Sequence, residues 1–550
     1  VNYQILLLQL LPEATLVLTA LVLLGVSVGV ESKRGRPAAP QLSIGIATAG
    51  ILLAFLAMWW QPAQADSGSQ LVAADVMSRV CKALVLSLGV LAVWLPPARG
   101  EMRNHGEFHA LMLFALTGLM LSVGTNHLLF LFVSLELASL SLYLLAGFPR
   151  TARCAEASMK YFLFGGVSSA FMLFGLSLLY GFSQSAMLGE IAAQSVARPG
   201  SLMAMAGLLM FLVGIAFKLA AAPFHYWAPD VYQGAPATSV ALVAAASKLA
   251  GLVVLVRVLS TGFHASAGSA GWGGMAVGWA LWLAVLAAVS MVFGNLLALA
   301  QTSVRRLLAY SAVANTGYLL TALVANGPKS SAAALFYVVV YGLATLGALA
   351  VTAAVERERG DDRIASFAGL IHRSPFQAVC LLVFLASLAG IPPLAGFFGK
   401  FAIFSSALAE STRGGFPGLV WLVGLGAVLS AVSLYYYLTV LKQVFVVAGP
   451  ATGGGRLPVT HVLCIAVPAI GLVLLGLFPA MMASPIARAV AALMPRTTAL
   501  WRAFACVPRR CLTRVPPERG TGAGPRLPGC GALRCWPRWC RRRVRRGTWQ

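Results

Sequence analysis

The chain has 550 residues, of which 59% are hydrophobic and 10% charged, and it carries a formal net charge of +24. An average soluble domain is about 45–50% apolar and about 25% charged, so these proportions exclude a water-soluble fold. The charge does not mark a nucleic-acid binder, because +13 of it falls from Arg496 onward, where fourteen Arg face one acid, Glu518.

A helix needs about 20 apolar residues to cross a ~30 Å hydrocarbon core. About fourteen such runs can be placed along the chain, near 5–30, 42–61, 76–97, 108–124, 127–148, 158–182, 201–222, 236–260, 275–298, 303–325, 331–355, 375–411, 419–447 and 460–482. The expected fold is an all-α polytopic membrane protein filling residues 1–495. The first run, Leu6 to Val30, lacks a preceding basic segment and exceeds the roughly 7–15 residues of a signal-peptide core, so it reads as the first span.

The connections carry an orientation signal, because Lys and Arg concentrate in cytoplasmic loops. One set of alternate connections holds sixteen of them, from Lys33 and Arg34 through Arg305 and Arg306 to Lys442 and Arg456. The other set holds six: Arg79, Lys82, Arg198, Arg257, Lys329 and Arg413. The first set is therefore cytoplasmic and both termini are outside. Residues 496–550 oppose this rule, and their Arg, Cys and Pro richness without apolar period reads as a disordered or out-of-frame tail. Cys530, Cys535 and Cys540 there offer a metal-binding alternative, but their spacing matches no common zinc or iron–sulfur pattern. Cys81, Cys154, Cys380 and Cys464 are scattered through or beside apolar segments and read as small hydrophobes.

A charge at membrane depth needs a partner, a water-filled cavity or a function. Glu136 stands about nine residues into its helix, with Ser139 and Tyr143 following at i+3 and i+7 on one face. Either it is a neutral acid packed between helices or it belongs to a proton path. Lys218 stands some fifteen residues along its run, too deep to snorkel easily. Pro223 has no N–H for the carbonyl of Leu219, so that helix is expected to break one turn beyond the lysine. Lys248 lies near the middle of the next helix with apolar residues on both sides. Lys400 lies in GIPPLAGFFGKF, where Pro392 and Pro393 deprive the carbonyls of Leu388 and Ala389 of donors. Two Pro-broken helices bearing a buried Lys, five helices apart, are what an internal repeat produces. Lys160 is a weaker candidate that equally fits snorkelling at the cytoplasmic end. His225 fits either a link from Lys218 to the cytoplasm or an interfacial loop, and Asp230 closes the same loop.

Desolvation disfavours the charged form of such groups, and neighbouring sites couple, so that charging one discharges the next. A row of buried Glu and Lys can thereby relay a proton across the membrane.

FKLAAAPFHYWAPDVYQGAP around Lys218, VRRLLAYSAVANTGYLL at 304–320 and FYVVVYGLATLGA at 336–348 resemble the antiporter-like membrane subunits of respiratory complex I and their relatives in cation/proton antiporters. Within that family GIPPLAGFFGKF, with Lys at 400, resembles subunit N. The resemblance runs from about residue 5 to 490. It implies two inverted five-helix repeats, Glu136 paired electrostatically with Lys218, Lys248 as a relay and Lys400 as the terminal exchange site. It implies a translocase subunit of NADH:quinone oxidoreductase with no redox centre of its own, in a bacterial inner (plasma) membrane beside M-like and K-like subunits. NADH, FMN, iron–sulfur clusters and quinone would be bound by partner subunits. No dinucleotide fingerprint or cluster-type cysteine spacing is present in the membrane body. The alternatives are a secondary Na⁺/H⁺ antiporter of the Mrp type and a non-pumping assembly subunit whose buried charges hold helices together.

Overall fold

The computed structural model describes residues 3–34, 39–61, 71–95, 104–411, 418–449 and 457–493. All belong to the first of two compact units, Val1–Thr497; the second, Thr498–Gln550, lies outside the described residues, and so do both readings of the tail.

Thirteen helices among the described residues are long and apolar enough to cross a membrane. A fourteenth crossing is assembled from two shorter apolar helices, Pro375–Ala389 and Ala395–Ser411. In chain order the others are Leu11–Arg34, Pro40–Ala57, Val76–Trp94, His105–Val123, Leu128–Gly147, Ala152–Ser183, Leu202–Leu219, Ala237–Gly262, Trp279–Leu299, Val304–Val324, Pro328–Arg359, Val420–Phe445 and Val459–Leu477. Every expected span has its helix.

The seventh and twelfth crossings are the interrupted ones. Five is an odd number, so helices five apart run through the membrane in opposite directions, the relation that inverted five-helix repeats require. In the seventh, the helix ends sooner than one turn past Lys218. Leu219 is its last residue, Ala220 takes a left-handed φ of 56°, and the short helix Trp227–Gly234 follows. In the twelfth, Gly390 at φ 87° ends the first half. The second half approaches so closely that a Cβ on Gly396 would lie 1.8 Å from the Ser387 carbonyl oxygen. Only a residue without a side chain fits there.

Two helices outrun the expected spans. Ala152–Ser183 and Pro328–Arg359 have 32 residues each, about 48 Å at 1.5 Å per residue, and so extend past a ~30 Å core or tilt within it. The Thr151 hydroxyl accepts the Cys154 N–H at 3.2 Å and starts the first of them in its polar flank. The short helices Leu188–Ala197 and Ala480–Leu493 were not anticipated; both are too short to span and carry their apolar residues on one face.

Three crossings, Ala237–Gly262, Val304–Val324 and Pro328–Arg359, are almost wholly enclosed by the rest of the chain. This placement matters for function. Polar side chains on these helices meet protein and not hydrocarbon, which removes the main penalty on polar groups at membrane depth.

Ion pairs tie the two ends of the bundle. At the Arg-rich end, Asp230 bridges Lys160 at 2.7 Å and Arg306 at 2.8 Å, and Arg305 pairs with Glu356. At the other end, Arg257 grips Asp75 at 2.7 and 3.0 Å and also donates to Asn126 and Ser78. Lys82 pairs with Glu13 at 2.6 Å. Lys82 and Arg257, counted with the connections although they fall inside the expected spans 76–97 and 236–260, are buried helix groups with acidic partners.

Candidate proton-relay site

Each expected lysine is buried: Lys218 is 8% exposed, Lys248 2% and Lys400 5%. Among the described ion pairs none involves these three, so their ammonium groups are held by neutral oxygens and aromatic faces.

Lys218 is the penultimate residue of its helix. Its Nζ donates to the Ser139 hydroxyl and lies 5.7 Å from the Tyr143 ring centroid and 5.5 Å from that of Phe217. Glu136, one turn before Ser139, accepts the Ser169 hydroxyl at 2.6 Å. The implied pairing of Glu136 with Lys218 is therefore not a contact ion pair. The lysine reaches the glutamate's helix through Ser139, and the carboxylate turns toward the neighbouring helix Ala152–Ser183.

The broken backbone supplies the next contact. The Leu219 carbonyl, which Pro223 leaves without its helical donor, accepts the Thr316 hydroxyl at 2.7 Å. The same hydroxyl oxygen accepts Lys248 Nζ at 3.0 Å, and that ammonium also donates to the Ala312 carbonyl at 2.8 Å. One hydroxyl thus joins the break beside Lys218 to Lys248. Lys248 also sits 4.7 Å from the Tyr341 ring centroid, a cation–π distance. Five residues before it, Val243–Ser247, form a π-helical turn, a local widening frequent at functional sites.

Lys400 uses the second break in the same way. Its Nζ donates to the Ala389 carbonyl at 3.2 Å, one of the two that Pro392 and Pro393 deprive of donors, and to the Ser430 hydroxyl at 3.0 Å. The Tyr318 ring centroid is 5.0 Å away. At both breaks a proline frees a carbonyl and a polar side chain fills the vacancy.

The weaker candidates lie apart from this row. Lys160 is half-exposed and bound by Glu156 and Asp230 at 2.7 Å each, so it belongs to the ion cluster at the Arg-rich end. Asp230 lies outside the spans; partial burial opposes its ionisation, but Lys160 and Arg306 hold its carboxyl below the usual range. His225 is buried, stacked on Tyr226 at 4.8 Å and facing Tyr310 edge-on at 6.3 Å.

Between Lys248 and Lys400 lies a set of buried hydroxyls and amides that reading the residues one by one missed. It comprises Asn295, Ser311, Asn315, Thr316, Tyr318, Tyr337, Tyr436 and Tyr437. The signal was present in the sequence: Ser311, Asn315 and Tyr318 recur at i, i+4 and i+7 in YSAVANTGY, a polar stripe on an otherwise apolar helix.

Residues 125–430 match the family model described as NADH:quinone oxidoreductase/Mrp antiporter, TM. NADH-quinone oxidoreductase subunit N 2 of Acidobacterium capsulatum is 51% identical over 62% of this chain and 68% of its own length. A chain of respiratory complex I from Thermus thermophilus is 33% identical, with a TM-score of 0.69 over 86% of this chain and 98% of that one. A chain of the Mrp complex from Dietzia sp. superposes with a TM-score of 0.74 over 89% of this chain and 99% of that one, at 20% identity, which shows the shared fold alone. With 51% identity to a subunit N and a family match over more than half its length, the chain belongs to the NADH:quinone oxidoreductase/Mrp antiporter membrane family.

Proposed function

We propose that this chain is a proton-translocating, subunit N-type component of a membrane-bound NADH:quinone oxidoreductase, and that Glu136, Lys218, Lys248 and Lys400 relay the proton. The carrying observation is the row of three buried ammonium groups, each held by hydroxyls or carbonyls and without a contact ion pair among the described residues. A lysine locked to a carboxylate stays charged, whereas one held by neutral oxygens can gain and lose a proton as its neighbours change charge. Glu136 sets the charge state of Lys218 from one helical turn beyond Ser139. Lys218 and Lys248 act on each other through the Leu219 carbonyl and Thr316, and Lys400 exchanges with the far side across the second break.

Lys160, Asp230 and Arg306 form the mouth at the Arg-rich end, with His225 between that mouth and Lys218; the bias in loop charges supports a cytoplasmic side there, in a bacterial inner membrane. NADH, FMN, iron–sulfur clusters and quinone are carried by partner subunits, and M-like and K-like subunits stand beside this chain in the bilayer.

The test is Lys218→Ala in membranes containing the assembled complex, scored by quinone-linked NADH oxidation, proton pumping and a blot for assembly. Loss of both activities at normal assembly is expected; unchanged pumping would leave Lys218 as a structural charge. The Mrp-type reading rests on the shared fold. It requires a sodium gradient to drive proton movement without NADH, and Na⁺-dependent, NADH-independent acidification of the same vesicles would favour it.

A further inference from the structure

Asn315 stands between the two lysines of the second half of the relay. Its neighbour Thr316 binds Lys248, and its partner Tyr337 packs on Gly399, beside Lys400: a Cβ on Gly399 would lie 2.4 Å from the Tyr337 ring. The orientation of the amide follows from its partners. Asn315 Nδ2 lies 2.8 Å from the Ser311 carbonyl, which can only accept, so the NH₂ must face it and Oδ1 must face the Tyr337 hydroxyl at 2.5 Å. Tyr337 therefore donates to Asn315. The Ser311 hydroxyl oxygen accepts from the same NH₂ at 3.2 Å and shares a 2.5 Å hydrogen bond with the Tyr437 hydroxyl, in which either oxygen can be the donor.

Asn295 repeats the arrangement one helix away. Its NH₂ donates to the Met291 carbonyl at 2.8 Å and to the Tyr318 hydroxyl at 3.3 Å, and its oxygen accepts from Tyr436 at 3.2 Å. Tyr318 is the ring that faces Lys400. Both amides are thus anchored to their own helix four residues back, and both force the hydroxyl at their oxygen, Tyr337 or Tyr436, to donate.

A hydroxyl passes a proton by accepting on its lone pair while releasing its own hydrogen, then turning over. A carboxamide does not. Its oxygen accepts and its nitrogen donates, and exchanging those roles requires either the imidic tautomer or a flip that here breaks the bond to the helix carbonyl. A continuous hydroxyl chain between Lys248 and Lys400 would let them equilibrate at all times and dissipate the gradient.

We propose that Asn315, with Asn295 behind it, is a positioning residue that keeps the Lys248–Lys400 segment proton-tight, holding the hydroxyl chain in one donor direction until the segment is rearranged. The inference rests on the relay reading given above. Asn315→Asp keeps the shape but can take a proton on one oxygen and release it from the other. Asn315→Ser offers a rotating hydroxyl, and Asn315→Leu fills the site with no proton-carrying group.

In sealed vesicles containing the assembled complex, the NADH-driven pH gradient, its passive decay and the stimulation of NADH oxidation by an uncoupler are measured. Asn315→Asp and Asn315→Ser are expected to collapse the gradient and lose uncoupler stimulation while NADH oxidation continues; Asn315→Leu is expected to stay tight. The proposal is overturned if Asp and Ser variants hold a wild-type gradient, if the Leu variant leaks as much as they do, or if none of the three assembles. Lys248→Met, run in parallel, separates the two claims. Normal pumping by that variant defeats the relay reading itself, whereas lost pumping there beside a tight Asn315→Asp defeats only the role given to Asn315.

Discussion

Lys248→Met should leave the complex as stable as before while stopping proton movement through this chain. The substitution removes Nζ and leaves an apolar side chain one atom shorter, with a thioether sulfur in place of Cδ and a terminal methyl at the Cε position. It removes two hydrogen bonds from a charged donor, to the Ala312 carbonyl and the Thr316 hydroxyl, worth about 1.5–3 kcal/mol each. It also removes the contact with the Tyr341 ring, worth about 1–2 kcal/mol in a desolvated site. Against these losses, the ammonium no longer has to be taken out of water, which costs several kcal/mol for an ion after relaxation. Thr316 keeps the Leu219 and Ala312 carbonyls as acceptors, so nothing is stranded. The terms nearly cancel and the net change in stability stays within about 2 kcal/mol of zero. Thermal inactivation of the solubilised complex reads this term. Pumping and uncoupler-sensitive NADH oxidation, read in vesicles, should fall by on the order of tenfold or more, each tenfold being about 1.4 kcal/mol in the barrier. A variant that assembles poorly, or melts early in proportion to its lost activity, would refute the reasoning and make Lys248 a structural charge.

Four further outcomes follow from the ends and breaks of the bundle. Lys82→Met alone should destabilise by about 3–5 kcal/mol because it leaves Glu13 buried and unpaired, whereas Glu13→Gln combined with Lys82→Met should recover most of that loss in a thermal double-mutant cycle. Arg257→Ala should cost about 3 kcal/mol, the lower end for a broken buried pair because Asp75 is 34% exposed. Burial opposes ionisation of Asp75, but Arg257 and Ser78 hold its pKa below the usual 3.8; its contribution is therefore present above that value and disappears as the pH falls through the folded pKa. The stability gap between wild type and Asp75→Asn should shrink over that acidic interval, and a gap independent of pH would count against the pairing. Gly396→Ala should prevent assembly, since the added Cβ would meet the Ser387 carbonyl at 1.8 Å; a normal yield of complex would show that the second break can open.

The membrane class, the number of crossings and the burial of Lys218, Lys248 and Lys400 were legible in the linear chain because each depends on a local property. A run of about 20 apolar residues must span, a proline removes one donor from one known carbonyl, and a charge amid apolar neighbours has nowhere to hide. Pro223 and Pro392–Pro393 point to the Leu219 and Ala389 carbonyls by counting four residues back, and both carbonyls are engaged by polar side chains, Thr316 and Lys400. Helix ends were less legible, since Thr151 can start a helix in polar sequence without any change in hydropathy.

What fills those carbonyls depends on residues far apart in the chain, and no local pattern names them. Thr316 reaches Leu219 across 97 positions, and Ser139 meets Lys218 across 79. Lys82 and Arg257 are neutralised by acids distant in the chain, Glu13 on another helix and Asp75 at the N-cap of Val76–Trp94. The partner of the Glu136 carboxyl cannot be read from its spacing, and folding turned it to Ser169. The amino-acid order specifies which groups must be satisfied inside the membrane; packing selects the partners, because an unsatisfied polar group there costs several kcal/mol and only helices brought side by side can supply the missing half of each bond.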